Sequence, residues 1–223
     1  MEARAQAGPE KRAAEAHHAE IHALRRLLVL GLVLGLSGCA TLTRPPGVRV
    51  DWRARQRVLR RLTQWSANGQ FAIRSGGHGG QAFWRWTRDG DHQKLTVLGP
   101  FGRVLFVVRE HHGADMLQDA HGRTFTATSS ERLIYRVTGW RMPAGDLSYW
   151  IVGAARPGVP QQHTADRRGR LTRLVQAGWT IRFRSYDRYG SVALPRRLTL
   201  AHRGNRPHHA VHLRLVVQRW HLP

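Results

Sequence analysis

The stretch QAFWRWTRDGDHQKLTVLGPFGRVLFVVRE, residues 81 to 110, decides the fold. Its apolar residues recur with a period of two. Trp84 and Trp86 fall on one face and Arg85 and Thr87 on the other, the pattern of strands that bury one side. Asp89-Gly90 between two such runs reads as a hairpin turn. The next turn, Gly99-Pro100-Phe101-Gly102, is punctuated by Gly and Pro. It displays an aromatic ring where a turn between strands ordinarily carries Asn, Asp or Ser.

Alternation extends in both directions. QFAIR places Phe71 and Ile73 on one face, GRVLFVVRE places Val104, Phe106 and Val108 together, and ADMLQDAHGRTFTA reads as a hairpin turned at His121-Gly122. About six consecutive strands follow one another without the crossover helices that a parallel sheet requires. SSERLIYRVTG, with Ser caps, Glu131 in the first turn and Gly139 at the end, reads as a helix. MPAGDLSYWIVGAARPG holds a second, with Leu147, Trp150 and Ile151 on one side. GRLTRLVQ, GWTIRFRSYD, LPRRLTLAH and AVHLRLVVQRW then alternate again. The expectation is a mainly β protein with short helices: a half-open antiparallel β-barrel of about 10–11 strands, lidded by helices across one face. Upstream, Val58, Leu62 and Trp65 in residues 51 to 66 have helical spacing, and Asn68-Gly69 reads as the stop of that helix.

The N-terminal region has a different character. Arg25 and Arg26 precede ten apolar residues, Leu27 to Leu36. A spanning helix needs about 20, so residues 1 to 38 read as a signal peptide, with residues 1 to 23 a polar extension consistent with a start codon placed too early. Leu36-Ser37-Gly38-Cys39 looks like a bacterial lipobox, and the chain has no other cysteine. Lipid attachment at Cys39 follows, with no disulfide, on the periplasmic side of a Gram-negative envelope. Ala40, where lipoproteins retained at the inner membrane carry Asp, points to the outer membrane. Pro45-Pro46 makes residues 39 to 50 an extended, lipidated tether, leaving residues 51 to 222 as one domain.

Net charge is +22; removing the five basic and four acidic residues of 1 to 38 leaves 31 basic against 10 acidic. Such a balance ordinarily suggests nucleic acid, a partner that an envelope lipoprotein does not meet. Attraction to anionic lipid headgroups and a GC-rich codon bias toward arginine are the two remaining readings. No metal site is expected: His208, His209 and His212 lead into a strand pattern, where four residues span about 13 Å. The acidic residues are scattered singly, and neither a nucleophile elbow nor a phosphate-binding loop is present, so no enzyme activity and no cofactor are expected.

The order of these features resembles the LolB family: a lipobox, WSANGQFAI, the aromatic strand QAFWRWT, the apolar turn GPFG, the insert VTGWRMPAGDLSYWIVGAARPG and closing strands through WTIRFRSYD. The resemblance covers residues 39 to 222. It implies a monomeric outer-membrane acceptor that receives passenger lipoproteins from the periplasmic carrier LolA in an apolar cavity. The acceptor then inserts them into outer-membrane phospholipid, through a protruding turn that in the family typically carries leucine and here carries Phe101. By alternation, the cavity would be lined by Phe71, Ile73, Trp84, Trp86, Val104, Phe106 and Val108, with Trp140 and Trp150 from the insert. Two readings from other classes stand beside it: an envelope lipoprotein with a structural or anionic-polymer-binding role, and an envelope hydrolase.

Overall fold

Two runs of hairpins, meeting through a single strand pair, generate the architecture. The computed structural model describes residues 51–111, 114–204 and 210–223; the signal peptide, the whole tether with Cys39, and His208 and His209 lie outside them. The first run comprises β1 (Gln64–Ser75), β2 (His78–Asp89), β3 (His92–Leu98), β4 (Val104–His111), β5 (Ala114–Asp119) and β6 (Thr124–Ala127). The second comprises β7 (Gln161–Ala165), β8 (Leu171–Gln176), β9 (Trp179–Tyr189), β10 (Val192–His202) and β11 (Val211–His221). All belong to one 11-stranded sheet in the order β6-β5-β4-β3-β2-β1-β11-β10-β9-β8-β7, every pair antiparallel. The sheet does not close, because its edge strands β6 and β7 pair only inward.

Among the described residues three short α-helices accompany the sheet: α1 (Trp52–Arg60), α2 (Ser130–Thr138) and α3 (Ala144–Trp150). Asp51 caps α1 by accepting from the Arg53 backbone N–H at 3.0 Å. Here the structure corrects the sequence reading. The helix ends at Arg60, its buried residues are Gln56 and Leu59, and Val58 is exposed. Trp65 is a β1 residue, and Asn68-Gly69 lies inside that strand instead of ending a helix. β7, which is exposed along four of its five residues, has no alternation to betray it.

Gly69 has a packing reason. A Cβ there would sit 2.0 Å from the Val216 carbonyl oxygen and 2.9 Å from the Trp84 ring. Beside it the β1–β11 register shifts, so that Asn68 faces Arg219 and Gly69 faces Val217. The extra residue breaks the alternation of β11 at Gln218 and Arg219, both exposed, and returns Trp220 to the buried face. We expect Gly69→Ala to lose about 2 kcal/mol or more in chemical denaturation, since neither backbone nor indole can yield that much space. Gly145→Ala in α3, where an added Cβ meets nothing within 4 Å, should be neutral or stabilising by up to about 1 kcal/mol.

Candidate functional site

One face of the sheet is an apolar wall. Phe71 and Ile73 of β1, Trp84 and Trp86 of β2, and Phe106 and Val108 of β4 are all buried on it, as alternation requires. Trp65 contacts Trp86 and Trp220 edge-on at centroid distances of 5.8 and 5.3 Å. Such aromatic pairs hold each other by about 1 kcal/mol beyond area burial. The indole N–H groups of Trp65, Trp84 and Trp86 are buried without a hydrogen-bond partner among the described residues. Val104 departs from the expectation. It is 40% exposed, because β3 and β4 slip register at this end (Val97 faces Phe106, yet Leu98 faces Val104), and the strand runs out beside the protruding turn.

The insert covers this wall. It is the connection from β6 to β7, the two edges of the open sheet, so it must cross the space between them. α2 buries Leu133 and Ile134, and packs on β5 and β6. Trp140, half-buried, meets Phe71 edge-on at 5.7 Å. Trp150 of α3 is fully buried and lies 6.3 Å from Trp179 of β9. Arg88 of β2 lies over the Tyr149 ring at 5.5 Å. The two insert tryptophans named from sequence are thus brought to the wall.

Two buried glutamines that sequence reasoning missed secure the insert's C-terminal end. The Gln176 oxygen on β8 accepts from the Trp150 indole N–H and from the Arg156 backbone N–H, both at 2.9 Å. Its amide nitrogen donates to the Arg156 and Val159 carbonyls at 2.9 and 3.1 Å. Gln56 of α1 donates to the Gly153 carbonyl at 3.0 Å and accepts from the Ala155 N–H at 2.8 Å. The signal for Gln176 was present: it stands at an inward position, two residues after buried Leu174. Near α2, burial pushes the Glu110 carboxyl above its usual range, partly offset by a hydrogen bond with Ser130. Among the described residues no three His, Cys, Asp or Glu side chains are grouped to hold a metal ion.

The apolar turn is a separate feature. Gly99 N–H donates to the Arg103 carbonyl at 2.8 Å and Gly102 N–H to the Gly99 carbonyl at 3.2 Å, closing a tight loop. Gly102 has φ 77°, as glycine permits, but Phe101 itself has φ 65° and ψ 16°. A left-handed backbone costs a phenylalanine about 1 kcal/mol. Its ring is fully exposed, so no burial offsets that cost. Pro100 and Gly102 beside it are exposed as well.

Comparison with known proteins agrees with this architecture. Residues 63–220 match the family model described as outer membrane lipoprotein LolB. The outer-membrane lipoprotein LolB of Nitrosococcus oceani is 33% identical over 201 residues, covering 88% of this chain and 96% of that protein. The proteins of the same name from Aeromonas hydrophila and Pseudomonas syringae are each 31% identical, covering 88% and 79% of this chain and 96% and 89% of their own length. A LolA superfamily protein of Nitrosomonas europaea has a similar fold at TM-score 0.54 and 11% identity, over 78% of this chain and 94% of that one. The aromatic wall, the insert that crosses it and the matching sequence over nearly all of the described domain lead to one assignment: the chain belongs to the LolB family of outer-membrane lipoproteins.

Proposed function

We propose that this protein is the outer-membrane acceptor of a lipoprotein relay: it takes acylated passengers from a LolA-type carrier and releases them into the bilayer. The observation that carries this reading is the continuous aromatic wall, covered by a separate helical insert instead of by a second sheet. Each methylene left in water costs about 0.8 kcal/mol, so three acyl chains cost tens of kcal/mol to carry bare. A passenger therefore needs an apolar compartment at every step between membranes.

With the insert seated, Trp84, Trp86, Phe106 and Trp150 are at most 2% exposed, so side chains fill the interior. Acyl chains take their place when the insert moves away from the wall. The unpartnered indole donors of Trp65, Trp84 and Trp86 supply polar points that match the ester carbonyls at the head of such chains. Phe71, Ile73 and Val108 extend the same surface, and Trp140 lines its margin. Transfer needs no nucleotide in this scheme, because the passenger moves from a weaker to a stronger apolar host and then to lipid. Cys39, carrying acyl chains, holds the acceptor at the membrane, and residues 40 to 50 give it reach.

Removal of the anchor separates placement from reception. Cys39→Ala should leave the envelope in the soluble fraction yet still take up lipoprotein from the carrier. A folded, soluble Cys39→Ala protein that takes up none would refute the scheme.

Trp84→Glu and Trp86→Glu each set an unpaired carboxylate among acyl chains, at several kcal/mol. Passenger uptake should fall at least tenfold in each variant while circular dichroism still reports the sheet. Normal uptake by both folded variants would show that these faces do not receive lipid.

The turn supplies a third measurement, in which stability and transfer diverge. Phe101→Gly relieves the left-handed backbone and should raise stability by about 1 kcal/mol. It should nevertheless abolish insertion of passengers into liposomes. Phe101→Glu should leave uptake intact and block insertion, and Phe101→Leu should be nearly silent. Marked destabilisation by Phe101→Gly would mean that the ring packs in the fold and does not serve delivery.

A further inference from the structure

The face of the sheet opposite the aromatic wall carries a different chemistry. A groove of about 780 Å³ runs across β2, β1, β11, β10 and β9, and Arg74, Arg182, Arg184, His212 and Arg214 point into it. Among the described residues no carboxylate lines it. None of these four arginines takes part in an ion pair among the described residues, although four arginine–aspartate pairs form elsewhere. All four are exposed.

Their spacing is dictated by register. Arg182 pairs with Thr199 and Thr199 with Arg214, which puts two guanidinium-bearing strands two intervals, about 10 Å, apart. On its other side Arg182 lies directly opposite Arg173 of β8. Like charges opposed across strands destabilise a sheet. A guanidinium row offers paired N–H donors that fit phosphate oxygens two at a time.

The groove is continuous with the protruding turn. A second depression of about 270 Å³ shares Ala72, Gln81 and Arg214 with it and ends against Phe83 and Pro100. Phe83 is 46% exposed and Phe101 fully so. Cations beside exposed aromatic rings fit the boundary of a bilayer, where phosphates lie above acyl chains. A soluble acidic protein would satisfy the cations and leave Phe101 in water.

We propose that this groove binds the phosphates of anionic phospholipid headgroups and lays the outer face of β9 to β11, β1 and β2 on the membrane, with Phe101 at the leading edge. This extends the acceptor reading, on which it rests: the anchor tethers the domain, and the groove orients it so that the turn meets the bilayer.

The test uses the mature chain, residues 39 to 223, carrying Cys39→Ala, so that neither acyl anchor nor signal peptide obscures adsorption. Binding to vesicles of phosphatidylethanolamine with phosphatidylglycerol is compared with binding to phosphatidylcholine alone, at low and high salt. Each basic residue near an anionic surface contributes about fivefold. Arg182→Gln, Arg184→Gln and Arg214→Gln combined should therefore weaken binding to the anionic vesicles about 100-fold, and high salt should do the same to the parent protein. The triple variant should keep its melting temperature and its uptake of passenger from the carrier in solution. A control that neutralises Arg53, Arg57 and Arg60 on α1 should bind nearly as the parent does. Equal loss in the control would make the attraction one of net charge and overturn the groove. Undiminished vesicle binding by the triple variant would overturn it too. Collapse of carrier-dependent uptake with vesicle binding intact would assign the groove to an acidic protein partner and end the lipid proposal. Vesicle binding is read without any passenger, so its outcome stands apart from that of the acceptor reading.

Discussion

The pairing of β1 with β11 is the constraint on which the rest depends. Each meander is local, since every hairpin in it joins neighbours in sequence. β1 and β11 stand at opposite ends of the described domain, yet pair from Ser66–His221 to Ser75–Val211. This single long-range seam turns two small sheets into one and sends β6 and β7 to its two edges. Once they are at the edges, the chain between them must cross the sheet, which makes a lid of the insert. At the seam's centre Gly69 lets the Val216 carbonyl and the Trp84 ring approach the backbone. The adjacent bulge brings Trp220 round to Trp65. Folding is accordingly expected to be slow at this step, because loop closure over the whole domain precedes its reward.

Most of the sheet was legible because a half-buried strand records its environment in its own alternation. Trp84 and Trp86 against Arg85 and Thr87 gave the buried face of their strand. The misreadings fall where that record is broken. β7 is an exposed edge, so its residues carry no inward set. Asn68-Gly69 has the composition of a helix stop, but its glycine answers a contact with β11, nearly 150 residues away, that no local pattern reports. Val104 continues an alternating run on paper, and a register slip against Leu98 removes it from the wall. Gln176 is the instructive case: a polar residue at an inward position looks like an irregularity in a strand, and is the clamp on Trp150.

In the proposed scheme the two faces of one sheet divide the work of handling a lipidated passenger. The inner face is aromatic and buried, its residues in one core cluster with those of the insert. A filled interior has a thermodynamic consequence. An empty apolar cavity of acyl-chain size would forfeit dispersion contacts over its whole lining, at about 24 cal/mol per Å³. Side chains from the insert restore those contacts when no passenger is present. Opening then requires breaking the buried bonds of Gln56 and Gln176, roughly 1 kcal/mol each net, together with the apolar contacts of α2 and α3. Acyl chains handed over from a weaker apolar host offset that cost by the difference between the two hosts, summed over many methylenes, whereas a chance small apolar molecule has too little surface to do so. In this scheme the lid discriminates by size without a specific recognition group.

Delivery poses the opposite problem, since a tight host does not release its cargo to lipid unaided. The turn at residues 99–103 is closed by its own backbone bonds, and keeps Phe101 at a left-handed φ in full contact with water. Both the backbone strain and the unburied ring raise the free energy of the isolated protein. The ring's share of that free energy is recovered where it finds an apolar phase, about 2 kcal/mol for a phenylalanine side chain. The bilayer is such a phase, and the aqueous periplasm is not. A difference of that size favours membrane contact about 30-fold while leaving the contact reversible, which a transfer step that must repeat requires. A turn of ordinary polar composition would fold more stably and would give the acceptor no preference for where it opens.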